Sequence, residues 1–124
     1  MTSTLTFNLG EGSVSFPCTV ETAKALKAEL DTLWRSLKTI ATAQVNTGNP
    51  EVSPIATKPA PQPSLEYRQV GEVFLELFCN PNIWPTPFAA KLLVTVRDDR
   101  IRVTTEADLN RILEDINLFL EQFA

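Results

Sequence analysis

Apolar and polar residues alternate over residues 91–104, which is the period of two expected of a strand with one buried face. A two-residue turn at Asp98-Asp99 is predicted to join two antiparallel strands here, although two aspartates form such a turn less readily than Asn-Gly. The apolar side chains then share one face of the hairpin. They form the facing pairs Val96 with Ile101 and Val94 with Val103.

A helix with one apolar side is predicted directly after this hairpin. Thr105 suits the N-cap position, and Asp108, three residues later, completes a capping box. Apolar residues then recur at spacings of three and four, as they do on the buried stripe of a helix. They are Leu109, Ile112, Ile116, Phe119 and Phe123.

The same plan is predicted for residues 5–45. With Glu11-Gly12 as the turn, three apolar pairs share one face of a hairpin, and Thr19 suits the N-cap of a helix that continues to about Val45. The facing pairs are Leu5 with Cys18, Phe7 with Phe16 and Leu9 with Val14. The chain is therefore interpreted as two hairpin-plus-helix units, which are either a true duplication or two segments that obey the same rules.

The apolar stripe of the first helix predicts a dimer seam, because its spacings of three and four alternate as in a heptad repeat. The seam residues are Leu26, Leu30, Leu33, Leu37 and Ile40. The alternative is that this stripe packs on the chain's own sheet. A helix of roughly 26 residues extends about 39 Å, longer than most sheets of this size, so a homodimer is favoured.

The middle of the chain divides into a linker and a segment of ambiguous pattern. Residues 46–63 contain five prolines and predict a flexible linker. After it, Ser64 suits a further N-cap, and helical spacing predicts an additional helix within 65–79. The residues that carry this spacing are Tyr67, Val70, Val73, Phe74, Leu77 and Phe78. A strand is the alternative, because the end of the segment also alternates and Gly71 weakens a helix.

Residues 80–88 form the most distinctive local feature. Three prolines and two asparagines exclude a regular element, yet the segment also contains Ile83, Trp84 and Phe88. One interpretation is a rigid loop whose aromatic side chains close the end of the core. The other is a preorganised recognition loop with Trp84 as its anchor, since tryptophan is a typical hot-spot residue of protein interfaces. A partner protein is predicted to bind here.

The polar face of the 91–104 hairpin is a second candidate surface. Lys91, Arg97, Arg100 and Arg102 are predicted to project from it, and four cations on one face can bind phosphates. The two aspartates of the turn reduce the net charge of the hairpin to +2, and no aromatic residue is interleaved to stack a base. Nucleic acid is therefore a disfavoured alternative to an acidic protein partner.

Composition excludes several classes of protein. The 124 residues fit one domain, and a net charge of −4 disfavours general attraction to nucleic acid or anionic membrane. The absence of histidine removes imidazole-based catalysis and most zinc sites, so no metal or cofactor is expected. Cys18 and Cys79 are interpreted as reduced core thiols. Because no signal peptide or membrane-spanning stretch is predicted, we expect a cytoplasmic location and no membrane contact.

These patterns predict a single α+β domain over 1–124, in which two antiparallel hairpins carry helices on one face of a sheet. The predicted function is that of a small, non-catalytic interaction protein: an adaptor, assembly factor or regulatory subunit that forms a homodimer. One alternative is a nucleic-acid-binding regulator that uses the 91–104 hairpin. Another is a small enzyme or ligand-binding domain that uses carboxylate pairs such as Glu72 with Glu76 or Glu114 with Asp115.

Overall fold

A computed structural model describes the backbone of residues 3–46 and 61–124 and the side chains of 3–42 and 61–124. The fold is α+β, with one two-stranded and one four-stranded antiparallel sheet. The elements in chain order are β1 (Ser3–Leu9), β2 (Gly12–Cys18), α1 (Val20–Asn46), β3 (Leu65–Gln69), β4 (Phe74–Cys79), β5 (Lys91–Arg97), β6 (Arg102–Asp108) and α2 (Leu109–Phe123). The predicted linker lies mostly outside the described residues, and the division into two repeated units stays a prediction.

The first two strands form a separate ribbon and do not join the larger sheet. Its register pairs Leu5 with Phe16 and Phe7 with Val14, and Gly10-Glu11 lies at the turn. The predicted turn at Glu11-Gly12 is therefore wrong by one position, and the pairing is wrong by two residues. A shift of two leaves every side chain on the same face, so alternation alone does not select the register.

The larger sheet has the strand order β3-β4-β5-β6. Its first hairpin contradicts the additional helix predicted within 65–79, since this segment is two strands joined by a turn at 70–73. The inner, buried side chains of these strands alternate along the chain, which is the strand pattern. They are Leu65, Leu75, Leu77 and Cys79. The helical spacing had combined inner residues with residues of the turn and with Phe74 and Phe78 of the outer face.

The second hairpin of this sheet pairs Arg97 with Arg102, so four residues and not two connect β5 to β6. A two-residue turn needs positive φ at both positions, and no described residue other than glycine has one. The wider connection is closed by Asp98, whose N–H donates to the carbonyl of Ile101 at 2.9 Å. Its carboxylate accepts from the N–H groups of Arg100 and Ile101, each at 2.8 Å.

The two helices begin differently. Thr19 caps α1 as predicted, because its Oγ1 accepts a hydrogen bond from the N–H of Thr22 at 3.1 Å. The capping box predicted at Thr105 is wrong, since β6 continues to Asp108 and α2 begins at Leu109. Pairing with β5 keeps residues 104–108 in the strand, where the ladder satisfies their backbone groups.

One continuous core fills the space between the inner face of the larger sheet, the ribbon and the two helices. The helix α1 packs against α2 and β3, whereas α2 packs against β1 and β6. A buried carboxylate joins the ribbon to α2: Asp115 accepts from the backbone N–H of Asn8 at 2.7 Å and from its side-chain Nδ2 at 2.8 Å. This contact gives the backbone N–H of Asn8, on β1, its hydrogen-bond acceptor.

Candidate interaction surfaces

The predicted dimer seam on α1 lies inside the core. All five of its side chains are at most 3% exposed and pack within the chain itself. They are Leu26, Leu30, Leu33, Leu37 and Ile40. A dimer that used this seam would have to exchange elements between copies, because the side chains are already covered. The seam therefore stays a prediction, and the accessible surfaces lie elsewhere.

The loop between β4 and β5 contains two 3₁₀ turns, Pro81–Ile83 and Pro87–Ala89, which sequence reasoning missed. In each turn a proline follows a capping residue. Asn80 Oδ1 accepts from the N–H of Asn82 at 3.0 Å, and Thr86 Oγ1 accepts from the N–H of Ala89 at 3.3 Å. Proline at the first position after an Asn or Thr cap was the available signal.

The loop is also tied to the chain that precedes β3. The Asn82 side chain makes both hydrogen bonds of an amide pair with the backbone of Gln62. Its Oδ1 accepts from the Gln62 N–H at 2.8 Å, and its Nδ2 donates to the Gln62 carbonyl at 2.8 Å. These bonds hold the loop, from here called the 3₁₀ loop (residues 80–90), in one conformation.

The three apolar residues predicted as the recognition site lie in different environments. Trp84 is half-buried and packs against the core. The other two side chains point outward: Ile83 is 67% exposed and Phe88 is 72% exposed. Trp84 therefore lies against the core, as in the interpretation of a loop that closes the core. Ile83 and Phe88 lie on the surface, as a recognition loop requires.

Phe88 borders an apolar groove between the 3₁₀ loop and α1. Its ring packs edge-on against Trp34, with the centroids 5.2 Å apart and the planes at 87°. The groove has a volume of about 430 Å³ and is called the Phe88 groove. It is lined by Trp34, Lys38, Ala41, Thr42, Thr86, Pro87 and Phe88. The signal in the sequence was Trp34, a large residue one position outside the apolar stripe of α1.

The other side of the 3₁₀ loop meets the outer face of the larger sheet. Ile83 and Trp84 line a smaller groove, of about 220 Å³, together with Phe78 and Leu93. Phe78 is 38% exposed and Leu93 is 43% exposed. The sequence analysis did not identify these two as surface residues, because the pattern of residues 65–79 favoured a helix and Leu93 was assigned to neither face of the hairpin.

Three cross-strand rows of the outer face have a regular distribution of charge, and a fourth row at the far end pairs Lys91 with Asp108 and is neutral. The arginine row contains Phe74, Arg97 and Arg102; the middle row contains Arg68, Glu76, Thr95 and Thr104; the glutamate row contains Glu66, Phe78, Leu93 and Glu106. The middle row is neutral, because Arg68 and Glu76 form an ion pair at 2.8 Å. The arginine row carries two positive charges, and the glutamate row carries two negative charges.

The four cations predicted on the hairpin do not form one patch. Arg97 and Arg102 face each other, and the Arg97 guanidinium carbon lies 4.5 Å from the centroid of the Phe74 ring. Arg100 belongs to the connection between the strands. Lys91 shares the face but lies at its far end, paired with Asp108. The glutamate row separates Lys91 from the arginines.

Three ionisable side chains in the described ranges have pKa values raised by burial. Cys18 and Cys79 are free and buried, and burial raises the pKa of both thiols, that of Cys79 to about 11. Burial also raises the pKa of Tyr67. Within residues 3–46 and 61–124, no three cysteine, aspartate or glutamate side chains approach closely enough to hold a metal ion.

Comparison with known proteins identifies no relative. No protein-family model matches the chain, no curated protein matches it, and no solved structure matches the fold. In the part of the chain that the structure describes, neither helix is long and apolar enough to cross a membrane.

Proposed function

We propose that this chain is a non-catalytic interaction module that binds a partner protein through the Phe88 groove. The supporting observation is a phenylalanine ring 72% exposed on a loop whose backbone is held by side-chain hydrogen bonds. A single exposed apolar residue is ordinary. This one, however, borders an apolar groove, and its loop has little conformational entropy left to lose on binding.

The groove defines what its partner must present. Its volume of about 430 Å³ accommodates one or two apolar side chains. Trp34 and Phe88 provide the aromatic walls, which are the residue types that dominate interface energetics. Lys38 is the charged residue of the lining. An apolar segment with a carboxylate beside it would fit, and the roles of adaptor, assembly factor or regulatory subunit are consistent with this kind of contact.

The state of the thiols and carboxylates supports a non-catalytic role. A Cys79 thiol with a pKa of about 11 is protonated at neutral pH and is not a nucleophile. Glu76 is engaged by Arg68, and Asp115 by Asn8. The carboxylate pairs considered from the sequence thus each contain one member with a structural partner.

The nucleic-acid alternative has weaker support. Phosphate binding needs positive charge that is not offset nearby. On the outer face, Arg97 and Arg102 lie two rows from Glu66 and Glu106. The face as a whole carries no net positive charge, so it offers less to a polyanion than the cations alone had indicated.

The test is affinity capture with purified bait from nuclease-treated lysate, followed by mass spectrometry. The baits are the wild type, Phe88→Ser, and Leu118→Ser as a matched control, since Leu118 is a similarly exposed apolar residue on α2 outside this groove. We expect the wild type and the control to capture the same protein and Phe88→Ser to lose it. Equal capture by all three baits, or no capture by any, would overturn the proposal. Circular dichroism verifies that each bait is folded.

A further inference from the structure

No helix or strand of residues 3–46 and 61–124 covers the outer face of the larger sheet, and the charges of this face are arranged in rows. Its arginine row has a charge of +2, its middle row is neutral, and its glutamate row has a charge of −2. Accordingly, Phe78 and Leu93 in the glutamate row remain 38% and 43% exposed. Apolar side chains lie between the charges in both outer rows.

We propose that this face binds a second copy of the chain and forms a two-fold symmetric dimer. The proposal does not rest on the Phe88 groove, which lies on the other side of the 3₁₀ loop. Its basis is charge complementarity: three successive rows that are positive, neutral and negative are complementary to themselves after rotation by a half-turn about the middle row. The neutral Lys91–Asp108 row lies beyond the glutamate row and outside this match.

The spacing of the rows permits that rotation. Along each of β4, β5 and β6, the middle row is two residues from the arginine row and two residues from the glutamate row. Two residues of a strand span about 6.7 Å, so the middle row is equidistant from both charged rows. A two-fold axis that runs along the middle row, across the strands, places the arginine row of one copy over the glutamate row of the other.

This arrangement specifies the contacts. Arg102 lies over Glu106 of the second copy, and Phe74 lies over Phe78, so an ion pair and an aromatic pair each occur twice. Arg97, held over the Phe74 ring, lies over Leu93 and within reach of the same Glu106. Aligned packing of two antiparallel sheets at a separation of about 10 Å is a common arrangement.

The centre of the face is suited to close approach. The axis passes by Thr95 and Thr104, which are small and satisfy each other through a hydroxyl–hydroxyl hydrogen bond of 3.3 Å. Arg68 and Glu76 lie on the same axis, each opposite the same residue of the second copy, and their own ion pair offsets these two like-charge contacts. Thr95 is only 5% exposed. A second sheet therefore meets no bulky side chain and no unpaired hydroxyl at this point.

The size of the face sets the expected strength. Four strands at their usual spacing, over three rows, measure about 20 Å by 20 Å, or about 800 Å² for the two copies together, which is below the usual size of specific interfaces and typical of weak, transient ones. Exposed Ile83 at the border of the glutamate row adds apolar area. We therefore expect a dimer that dissociates on dilution.

A charge exchange tests the proposal. Arg102→Glu and Glu106→Arg are compared singly and together by sedimentation over a range of concentrations, with Lys24→Glu, an exposed cation on α1, as the control. Each single change should raise the dimer dissociation constant about tenfold or more, because like charges then face each other. The double variant should restore it. The two residues lie four apart on one strand, about 13 Å, so such a rescue requires contact between copies.

Several outcomes would overturn the proposal. One is a wild type that remains monomeric up to about 1 mM. Another is a dimer whose dissociation constant neither single change alters, or which the double variant fails to restore. Lys24→Glu should leave dimerisation unchanged, and raising the salt from about 0.1 M to about 1 M should weaken it. A stable monomer would leave the outer face to a different partner or to solvent.

Discussion

The two faces of the larger sheet are made by the same strands but differ in almost every physical property. On β4, the inner residues Leu75 and Leu77 are at most 1% exposed, whereas the outer residues Phe74 and Phe78 are in contact with solvent. The inner face is continuous with the core, and the outer face combines apolar side chains with paired and unpaired charges. The buried apolar contacts by which this sheet stabilises the fold lie on its inner face. The outer face is therefore available for recognition.

The sharpest test of this division compares adjacent residues. Leu77→Ala should lower the free energy of unfolding by about 2–5 kcal/mol, because it leaves a cavity in the core. Phe78→Ala should lower it by about 1 kcal/mol or less, since only a half-exposed strand side chain is removed. Chemical denaturation at a concentration where the protein is monomeric measures both. Similar losses for the two variants would contradict the division.

A buried polar contact provides the next largest effect. Asp115→Ala removes both acceptors of Asn8 and leaves its backbone N–H without a partner at the junction of the ribbon and α2. We expect a loss of about 1–3 kcal/mol in the free energy of unfolding. Asn117→Ala, an exposed position on the same helix, is the control. A loss below about 0.5 kcal/mol for Asp115→Ala would mean that this hydrogen-bonded junction does not hold the ribbon.

The reactivity of the two cysteine thiols tests how well the core is buried, without any mutation in the core. A pKa of about 11 leaves Cys79 with on the order of 100-fold less thiolate at pH 8 than a thiol of pKa 9.0. Because the pKa of Cys79 is higher in the folded protein than in the unfolded chain, ionisation of this thiol destabilises the fold. The stability that comes from keeping the thiol protonated is complete below pH 9 and is lost as the pH rises toward 11. Labelling with Ellman's reagent should be slow in the native protein and fast in denaturant. Rapid native labelling of either thiol would contradict their burial.

The smallest expected effect is at the tip of the second hairpin. Backbone hydrogen bonds from Arg100 and Ile101 lower the pKa of Asp98 below 3.8. The resulting stabilisation is present above the unfolded pKa and is lost as the pH falls through the folded one. Asp98→Asn should therefore flatten the acid limb of the stability curve slightly more than Asp99→Asn does. Identical acid limbs for the two variants would show that the turn contributes nothing.

The sequence predicted the fold class and the amphipathic elements because their periods are strong. Both helices and the β1-β2 and β5-β6 hairpins were located, and Thr19 was identified as the N-cap of α1. The registers of these hairpins were wrong by two residues, since an even shift preserves the face of each side chain. Residues 65–79 were ambiguous because apolar residues on two strands and a turn also satisfied helical spacing.

The surfaces were harder to predict than the elements. Ile83 and Phe88 were recognised as unusual for a loop, but which of the loop's apolar residues faces outward depends on the core that Trp84 contacts. The rows of the outer face required the pairing of four strands, and neither β3 nor β4 had been assigned as a strand. Charges far apart in the chain, such as Glu66 and Glu106, become members of one row only through that pairing.

The most direct test of a recognition role for the outer face is a cysteine placed on the proposed two-fold axis. Thr104→Cys lies on the middle row, where the same residue of two copies would meet, and the native cysteines are both buried and free. Under mild oxidation we expect this variant to form a covalent dimer much faster than Asn117→Cys, an exposed control on α2. Equal rates of cross-linking for the two variants would contradict the account.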